Sequence, residues 1–148
     1  MRYWLMKTEP GTYSIDDLAR DGRTRWDGVR NFRARNYMKE MEKGDRVLFY
    51  HSSAEPPGVA GVAEVVEEAY PDPSQFDPKS KYHDEKATEG DPRWWLVDIG
   101  FVRKLERVVS LTEIKAERSL AEMVLVNNSR LSVQPVTEAE FKKVLEME

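Results

Sequence analysis

Cysteine is absent from this chain of 148 residues. The absence excludes a disulfide framework, a cysteine nucleophile and cysteine-based zinc sites, and it suits a reducing compartment. Histidine is also scarce, because only His51 and His83 occur. Too few ligands remain for a transition-metal centre, so we expect neither a metal nor a cofactor. We expect the protein to be cytoplasmic.

Long apolar runs are missing as well. No run approaches the roughly 20 apolar residues of a membrane-spanning helix. Residues 1–6 are short and aromatic and lead directly into a polar Lys-Thr-Glu-Pro segment, which does not fit the apolar part of a signal peptide. We therefore expect no signal peptide and no membrane partner. The length fits one ordinary domain, which we take to span residues 1–148.

Acidic residues outnumber basic ones, 27 to 23, and the formal net charge is −4. This balance argues against a non-specific coat on nucleic acid, but it is compatible with a local basic patch. Residues 20–35 form such a patch, because six arginines accompany only two aspartates there. Any contact with a polyanion is therefore expected near this segment.

Trp26 and Asn31 stand among these arginines. Arginine binds phosphate through two parallel hydrogen bonds, tryptophan stacks on bases, and asparagine both donates to and accepts from a base edge. The segment therefore suits a flat, polyanionic ligand. On spacing alone a second interpretation is equally good: Trp26 and Phe32 belong to the core, Asn31 caps a helix, and the arginines form a solvated face.

The apolar patterns predict mostly sequential, antiparallel strands with short helices between them. Strands are expected at residues 2–7, 46–51, 59–66, 94–109 and 130–136, with the first central and the next two forming a hairpin. Start signals and apolar stripes predict helices at residues 14–19, 31–41, 119–126 and 137–145, and a single helical turn at residues 110–113. The proline-rich residues 70–92 predict an ordered surface loop. These elements indicate an α+β fold around a curved or closed sheet.

Five short motifs, in the same order along the chain, resemble the EVE domain and, within it, the thymocyte nuclear protein family. They are residues 3–10 (YWLMKTEP), 26–31 (WDGVRN), 49–52 (FYHS), 58–61 (GVAG) and 131–135 (LSVQP). The resemblance covers essentially the whole chain. It implies a PUA-like fold, with a curved or closed, mostly antiparallel β-barrel related to the YTH and SRA modified-base readers. It also implies a pocket that binds a nucleobase.

The residue types in these motifs suit such a pocket. Trp26 and Tyr50 are candidates to stack on a base that is extruded from its neighbours, which offsets a stacking loss of a few kcal/mol. A buried polar group that finds no match penalises a wrong base. The candidates for reading the Watson–Crick edge in this way are Asn31, Ser52, Lys7, Thr8 and Glu9.

His51 has two interpretations. The resemblance favours a place in the pocket lining, whereas its position at a strand end equally suits a histidine hydrogen-bonded to backbone. Arg30 and Arg33 are the expected phosphate contacts, since Arg33 and Arg35 are two residues apart and cannot share a helix face. Arg130 is a further candidate, although an exposed charge at a strand end explains it as well.

We therefore predict a non-enzymatic module that binds DNA or RNA and accommodates a flipped, modified base, such as a methylated or hydroxymethylated cytosine. Such a protein would be nucleoid-associated in a bacterium or nuclear in a eukaryote. Two alternatives stay open: an enzyme acting on a nucleotide or nucleic acid with His51 or Glu9 as general base, and a sensor of a nucleoside-like small molecule. The lack of a glycine-rich phosphate loop and of clustered metal carboxylates disfavours the enzyme. The oligomeric state is not determined by these patterns.

Overall fold

The computed structural model of the protein describes residues 1–128 and 130–148. Six strands are present in this part of the chain. They are β1 (Tyr3–Thr8), β2 (Arg23–Arg25), β3 (Arg46–His51), β4 (Gly58–Pro71), β5 (Trp95–Ser110) and β6 (Val133–Val136). The predicted hairpin is confirmed, because β3 and β4 pair antiparallel. The long fourth predicted strand corresponds to β5, which pairs with β4 through several register shifts.

Short helices connect these strands. They are α1 (Ile15–Asp21), α2 (Phe32–Glu40), α3 (Leu111–Ala116), α4 (Val124–Asn127) and α5 (Glu138–Glu146). Three of them begin with the predicted capping box. In this motif the side-chain oxygen of the N-cap residue accepts from the backbone N–H of the third helical residue, and the side chain of that third residue accepts from the backbone N–H of the N-cap residue. These capping residues are Ser14, Ser110 and Thr137.

The strands form one sheet in the order β2-β5-β4-β3-β1-β6. β1 is an inner strand, as predicted; it pairs parallel with β3 and antiparallel with β6. The sheet is mostly antiparallel, but it does not close into a barrel in the described residues, so the closed-barrel expectation is wrong. The two edge strands β2 and β6 contain only three and four residues and offer few groups for further pairing. The ladder between β4 and β5 has register shifts at four places, and such bulges or irregularities bend and twist a sheet.

Apolar side chains cover both faces of this sheet. On β1, Trp4 and Met6 belong to one hydrophobic core and Leu5 to the other; on β3, Phe49 and Tyr50 divide in the same way. This division follows from the two-residue period of a strand. Helices α1 and α2 pack with the Trp4 core, while α3 and α5 pack with the Leu5 core. Trp4 is fully buried, and its indole N–H donates to Asp45 at 3.0 Å.

One predicted helix is wrong. The sequence suggests a helix that begins at Ser119 and runs through Val126, but the structure has a 3-10 turn at Arg118–Leu120 and then α4. The Glu117 carboxylate accepts from the Ser119 N–H at 3.1 Å, so Glu117 caps the turn that Ser119 was expected to begin. The polar Asn-Asn-Ser sequence at residues 127–129 predicts the end of this helix, and Ser129 lies outside the described residues.

The predicted surface loop is ordered by a buried glutamine. β4 continues to Pro71, and a 3-10 turn follows at Pro73–Phe76. Within this turn Gln75 is fully buried and donates to the carbonyl oxygens of Asp72 and Trp94 at 2.8 and 2.7 Å. Its side-chain oxygen accepts the N–H groups of Arg93 and Trp94, both at 2.9 Å. The two ends of the loop are therefore held together.

Candidate functional site

A cleft of about 460 Å³ opens to solvent where the end of β1 meets the segment after β2. Its volume is within the range of about 300–1,000 Å³ that ligand pockets usually have. Three parts of the chain contribute to it: the end of β1 with the turn that follows, the segment that contains Trp26, and two separate residues. The residues that line the cleft are Lys7, Thr8, Thr12, Tyr13, Thr24, Arg25, Trp26, Asp27, Gly28, Val29, Arg30, Tyr82 and Ser132.

Trp26 lies at the inner side of this cleft. Its side chain is 8% exposed, and its ring packs edge-on against Phe49 with 5.6 Å between the centroids. Its backbone N–H donates to the Val97 carbonyl at 2.9 Å, which continues the pairing of β2 beyond its last residue. Trp26 therefore belongs to the core, as the second interpretation of the sequence proposed, and also presents part of its surface to the cleft.

A buried carboxylate holds the next turn in place. Asp72 is fully buried and accepts from the Gly28 N–H at 2.9 Å, the Ser74 hydroxyl at 2.6 Å and the Arg30 guanidinium at 3.1 Å. Burial alone would raise the pKa of Asp72, but these hydrogen bonds outweigh it and hold the pKa below its usual value. Arg30 also donates to the Tyr82 carbonyl at 2.8 Å. We call these five residues the Asp72 cluster.

Tyr82 closes the cleft from the side of the loop. Gly28 has a φ of 81°, and a Cβ placed there would lie 2.6 Å from the Tyr82 ring. Only glycine fits this turn without strain or displacement of the ring. Arg30 and Tyr82 also line a second depression, of about 450 Å³, so these two residues are shared by both.

Two charged groups of the lining have shifted pKa values. Burial lowers the pKa of the Lys7 ammonium, whose Nζ lies 5.4 Å from the centre of the Tyr50 ring. Burial raises the pKa of the Asp27 carboxyl, and the negative charge of Asp72 raises it further. Arg25 opposes the shift from a distance of 3.9 Å. Partly desolvated charges of both signs therefore meet in this cleft.

The structure brings four of the predicted residues to the cleft, namely Lys7, Thr8, Trp26 and Arg30. Tyr50 is not among the lining residues: it is 3% exposed and belongs to the core on the other face of the sheet. Successive strand residues point to opposite faces, and it is Phe49, the neighbour of Tyr50, whose ring packs against Trp26. The proposed slot between Trp26 and Tyr50 is therefore not formed.

Four other predicted pocket residues do not line the cleft and are engaged in structural hydrogen bonds. Asn31 is the N-cap of α2 and accepts from the Ala34 N–H at 2.9 Å. His51 accepts at Nε2 from the Ile15 N–H at 3.1 Å, which is the backbone-bonded alternative described above. The Ser52 N–H donates to the Thr8 carbonyl at the end of β1. The Glu9 carbonyl accepts from the N–H groups of Thr12 and Tyr13 and so holds the turn that follows.

The predicted phosphate contacts are in three different situations. Arg30 is engaged in the Asp72 cluster, and its side chain is 21% exposed. Arg33 and Arg130 are exposed and do not line the cleft. An unpredicted cationic surface lies close to Arg30: Phe32, which is 49% exposed, stacks on Trp94 with 4.8 Å between the centroids and contacts the guanidinium groups of nearby arginines. These arginines are Arg35 and Arg93.

Sequence reasoning missed most of the remaining lining. Asp27 and Gly28 follow Trp26 directly in the Trp-Asp-Gly motif, so the sequence could have predicted that they lie beside it in the cleft. Tyr82 lies in an aperiodic loop 56 positions after Trp26 in the sequence, and no local pattern connects the two. Among the described residues, no group of three or more acidic or histidine side chains is arranged to hold a metal ion. In the same residues, no helix is long and apolar enough to cross a membrane.

Comparison with known proteins identifies the class. The model of the EVE domain matches residues 2–147, so the chain belongs to the EVE domain family and the resemblance seen in the sequence is confirmed. Thymocyte nuclear protein 1 of Homo sapiens is homologous to it. That relative is 40% identical over an alignment that covers 99% of this chain and 73% of its own length.

Solved structures agree with this assignment. A hypothetical protein from Leishmania major has 50% sequence identity and a TM-score of 0.95, over 99% of this chain and 94% of its own. Human THYN1, solved in complex with DNA that contains 5-methylcytosine, has 40% identity and a TM-score of 0.93. This match covers 99% of the present chain and 96% of the human one.

Proposed function

We propose that this protein is a non-enzymatic DNA-binding module that accepts a modified cytosine, in the first place 5-methylcytosine, into the cleft beside Trp26. The observation that carries the proposal is the cleft itself, which combines an aromatic inner wall, hydroxyl groups and cations in a volume suited to a heterocycle. The homologous human protein, which was solved with 5-methylcytosine DNA, supports the choice of ligand.

The lining is suited to an extruded base. Trp26, Tyr13 and Tyr82 supply aromatic surface, and Thr8 and Thr24 supply hydroxyl groups that both donate and accept hydrogen bonds. Val29 adds an apolar surface, and burial of one methyl group contributes about 1 kcal/mol. The Kd values for cytosine and 5-methylcytosine should therefore differ only modestly, by about 3-fold to 10-fold.

The flanking phosphates would lie over the basic segment. Arg25 at the cleft and Arg33 on α2 are both solvent-exposed, and the guanidinium groups of Arg35 and Arg93 contact the exposed Phe32 ring. An exposed aromatic ring with cations around it suits contact with a base or sugar and its phosphates. The acidic Glu64, Glu67 and Glu68 on β4 make that strand an unfavourable path for the backbone.

The enzyme and sensor alternatives have less support. The Nε2 atom of His51 is occupied by the Ile15 N–H, so it is not available as a general base without breaking that bond. A sensor would bind a free nucleoside as tightly as an oligonucleotide. Measuring both ligands separates the sensor from the DNA-binding module, since phosphate contacts favour only the latter.

The experiment that tests the proposal blocks the cleft. Thr12 lines the cleft but is exposed on its turn, so Thr12→Trp adds a bulky ring with little effect on the core. We expect Thr12→Trp to lose at least about 10-fold in affinity for an oligonucleotide with one 5-methylcytosine. Thr112→Trp, at an exposed position of α3 on the opposite core, is the matched control and should bind like the unmodified protein. Equal binding by both variants would place the ligand elsewhere.

A further inference from the structure

One group in the cleft differs chemically from all the others. Asp27 is the one carboxylate among the described residues that line it. Lysine and arginine side chains only donate hydrogen bonds, and hydroxyl groups can do both, whereas an ionised carboxylate only accepts. A ligand edge that faces Asp27 must therefore offer a donor.

The backbone on both sides of Asp27 is held in place. The Trp26 N–H donates to the Val97 carbonyl at 2.9 Å, and the Gly28 N–H donates to the buried carboxylate of Asp72 at 2.9 Å. The neighbouring turn is further confined by the contact of Gly28 with the Tyr82 ring. The backbone position from which the Asp27 side chain projects is therefore fixed, which limits the range of positions that its carboxylate can reach.

The carboxylate is available to a ligand. It forms an ion pair with Arg25 at 3.9 Å, and the side chains of Asp27 and Arg25 are 41% and 57% exposed. Pairs of this kind contribute little and rearrange easily. Burial raises the pKa of Asp27 and the negative charge of Asp72 raises it further, so the carboxylate is partly desolvated in the cleft.

We propose that Asp27 selects bases with an exocyclic amino group, by accepting a hydrogen bond from the N4 amino group of cytosine or 5-methylcytosine. The inference rests on the proposed function and names the chemical feature that the same cleft reads. Carboxylates accept from this amino group in known base recognition. Thymine presents a carbonyl oxygen at the same position, and that oxygen would face the carboxylate as a second acceptor with no proton between them.

Thymine is the ideal comparison ligand, because it carries the same 5-methyl group as 5-methylcytosine. The methyl niche and the ring size are therefore equal, and only the Watson–Crick edge differs. Single-stranded oligonucleotides that are identical except for one 5-methylcytosine or one thymine also remove the cost of breaking a base pair. We expect the unmodified protein to prefer 5-methylcytosine over thymine by at least about 10-fold in Kd.

Asp27→Asn tests the assigned role, because a carboxamide can turn either its oxygen or its NH2 group towards the base. We expect this variant to reduce the 5-methylcytosine to thymine ratio to within about 3-fold. Asp16→Asn is the matched control: it removes the same charge from an exposed position on α1, outside the cleft lining, and should keep the ratio. Use of a ratio cancels the general gain in DNA affinity that loss of a negative charge produces.

The outcomes separate this inference from the proposed function. A protein that binds 5-methylcytosine and thymine equally, while Thr12→Trp still abolishes binding, overturns the role of Asp27 and leaves the cleft in place. An unchanged ratio in Asp27→Asn does the same. If no oligonucleotide binds, the proposed function fails and the inference fails with it. The ratio for the unmodified protein is decisive even if Asp27→Asn does not fold.

Discussion

Arg30→Met distinguishes the two roles that this arginine has been assigned. The sequence suggests a phosphate contact, whereas the structure places its guanidinium in the Asp72 cluster. Methionine keeps most of the apolar length of the side chain and removes the charge and the donors. The substitution therefore leaves Asp72 buried without its cation, and the Tyr82 carbonyl without its donor.

The size of the effect can be worked out from these contacts. Removal of one partner from a buried ion pair costs about 3–5 kcal/mol. Asp72 keeps the bonds from Gly28 and Ser74, and Arg30 is 21% exposed, so we expect the lower end, about 3 kcal/mol. For a chain of this length that loss lowers Tm by about 6–12 °C. A residue that only contacts phosphate would change the unfolding free energy by less than about 0.5 kcal/mol.

Urea unfolding with a fluorescence or circular dichroism readout measures this difference directly. Arg33→Met is the matched control, because Arg33 is exposed and its guanidinium lies over the Tyr37 ring. The unfolding free energy of this variant should stay within about 0.5 kcal/mol of the parent value. DNA titration at several salt concentrations adds a second readout, since a lost phosphate contact reduces the salt slope by about 1. Unchanged stability with a reduced slope in Arg30→Met would refute the structural role.

Two further predictions concern residues near the cleft. Gly28→Ala should cost about 1–3 kcal/mol, because alanine is strained at a φ of 81° and its Cβ collides with the Tyr82 ring, while Gly90→Ala, with open space around it, should be neutral in the same urea assay. His51 has a pKa below its usual value, chiefly because of burial, and must be neutral at Nε2 to accept from Ile15. As the pH falls, His51 is therefore protonated in the unfolded chain before it is protonated in the folded protein. The folded protein should lose stability as the pH falls through about 6.5. His51→Gln cannot titrate, so its urea midpoint should depend less steeply on pH between about 7.5 and 5.5; identical slopes would contradict the assignment.

Much of the fold could be predicted from local patterns in the sequence. The capping boxes at Ser14, Ser110 and Thr137 and the hairpin of β3 and β4 depend on neighbours a few residues apart, so composition and spacing are sufficient. The family resemblance likewise depends on short motifs in a fixed order. The prediction of a closed barrel was wrong. Closure would need pairing between β2 and β6, which lie at opposite edges of the sheet and far apart in the sequence, so no local pattern indicates whether they pair.

The candidate site was predictable only in part. The Trp26 segment and the end of β1 are recognisable because their residue types are unusual, and both reach the cleft. Tyr50 was predicted to line the cleft because of its residue type. The structure shows that Phe49 contacts Trp26, and the alternation along β3 then places Tyr50 in the core on the other face of the sheet. Asp72 and Tyr82 complete the site from a loop with no periodic pattern. Hydrogen bonds that span more than 40 residues have no local signature, so the tertiary structure alone decides them.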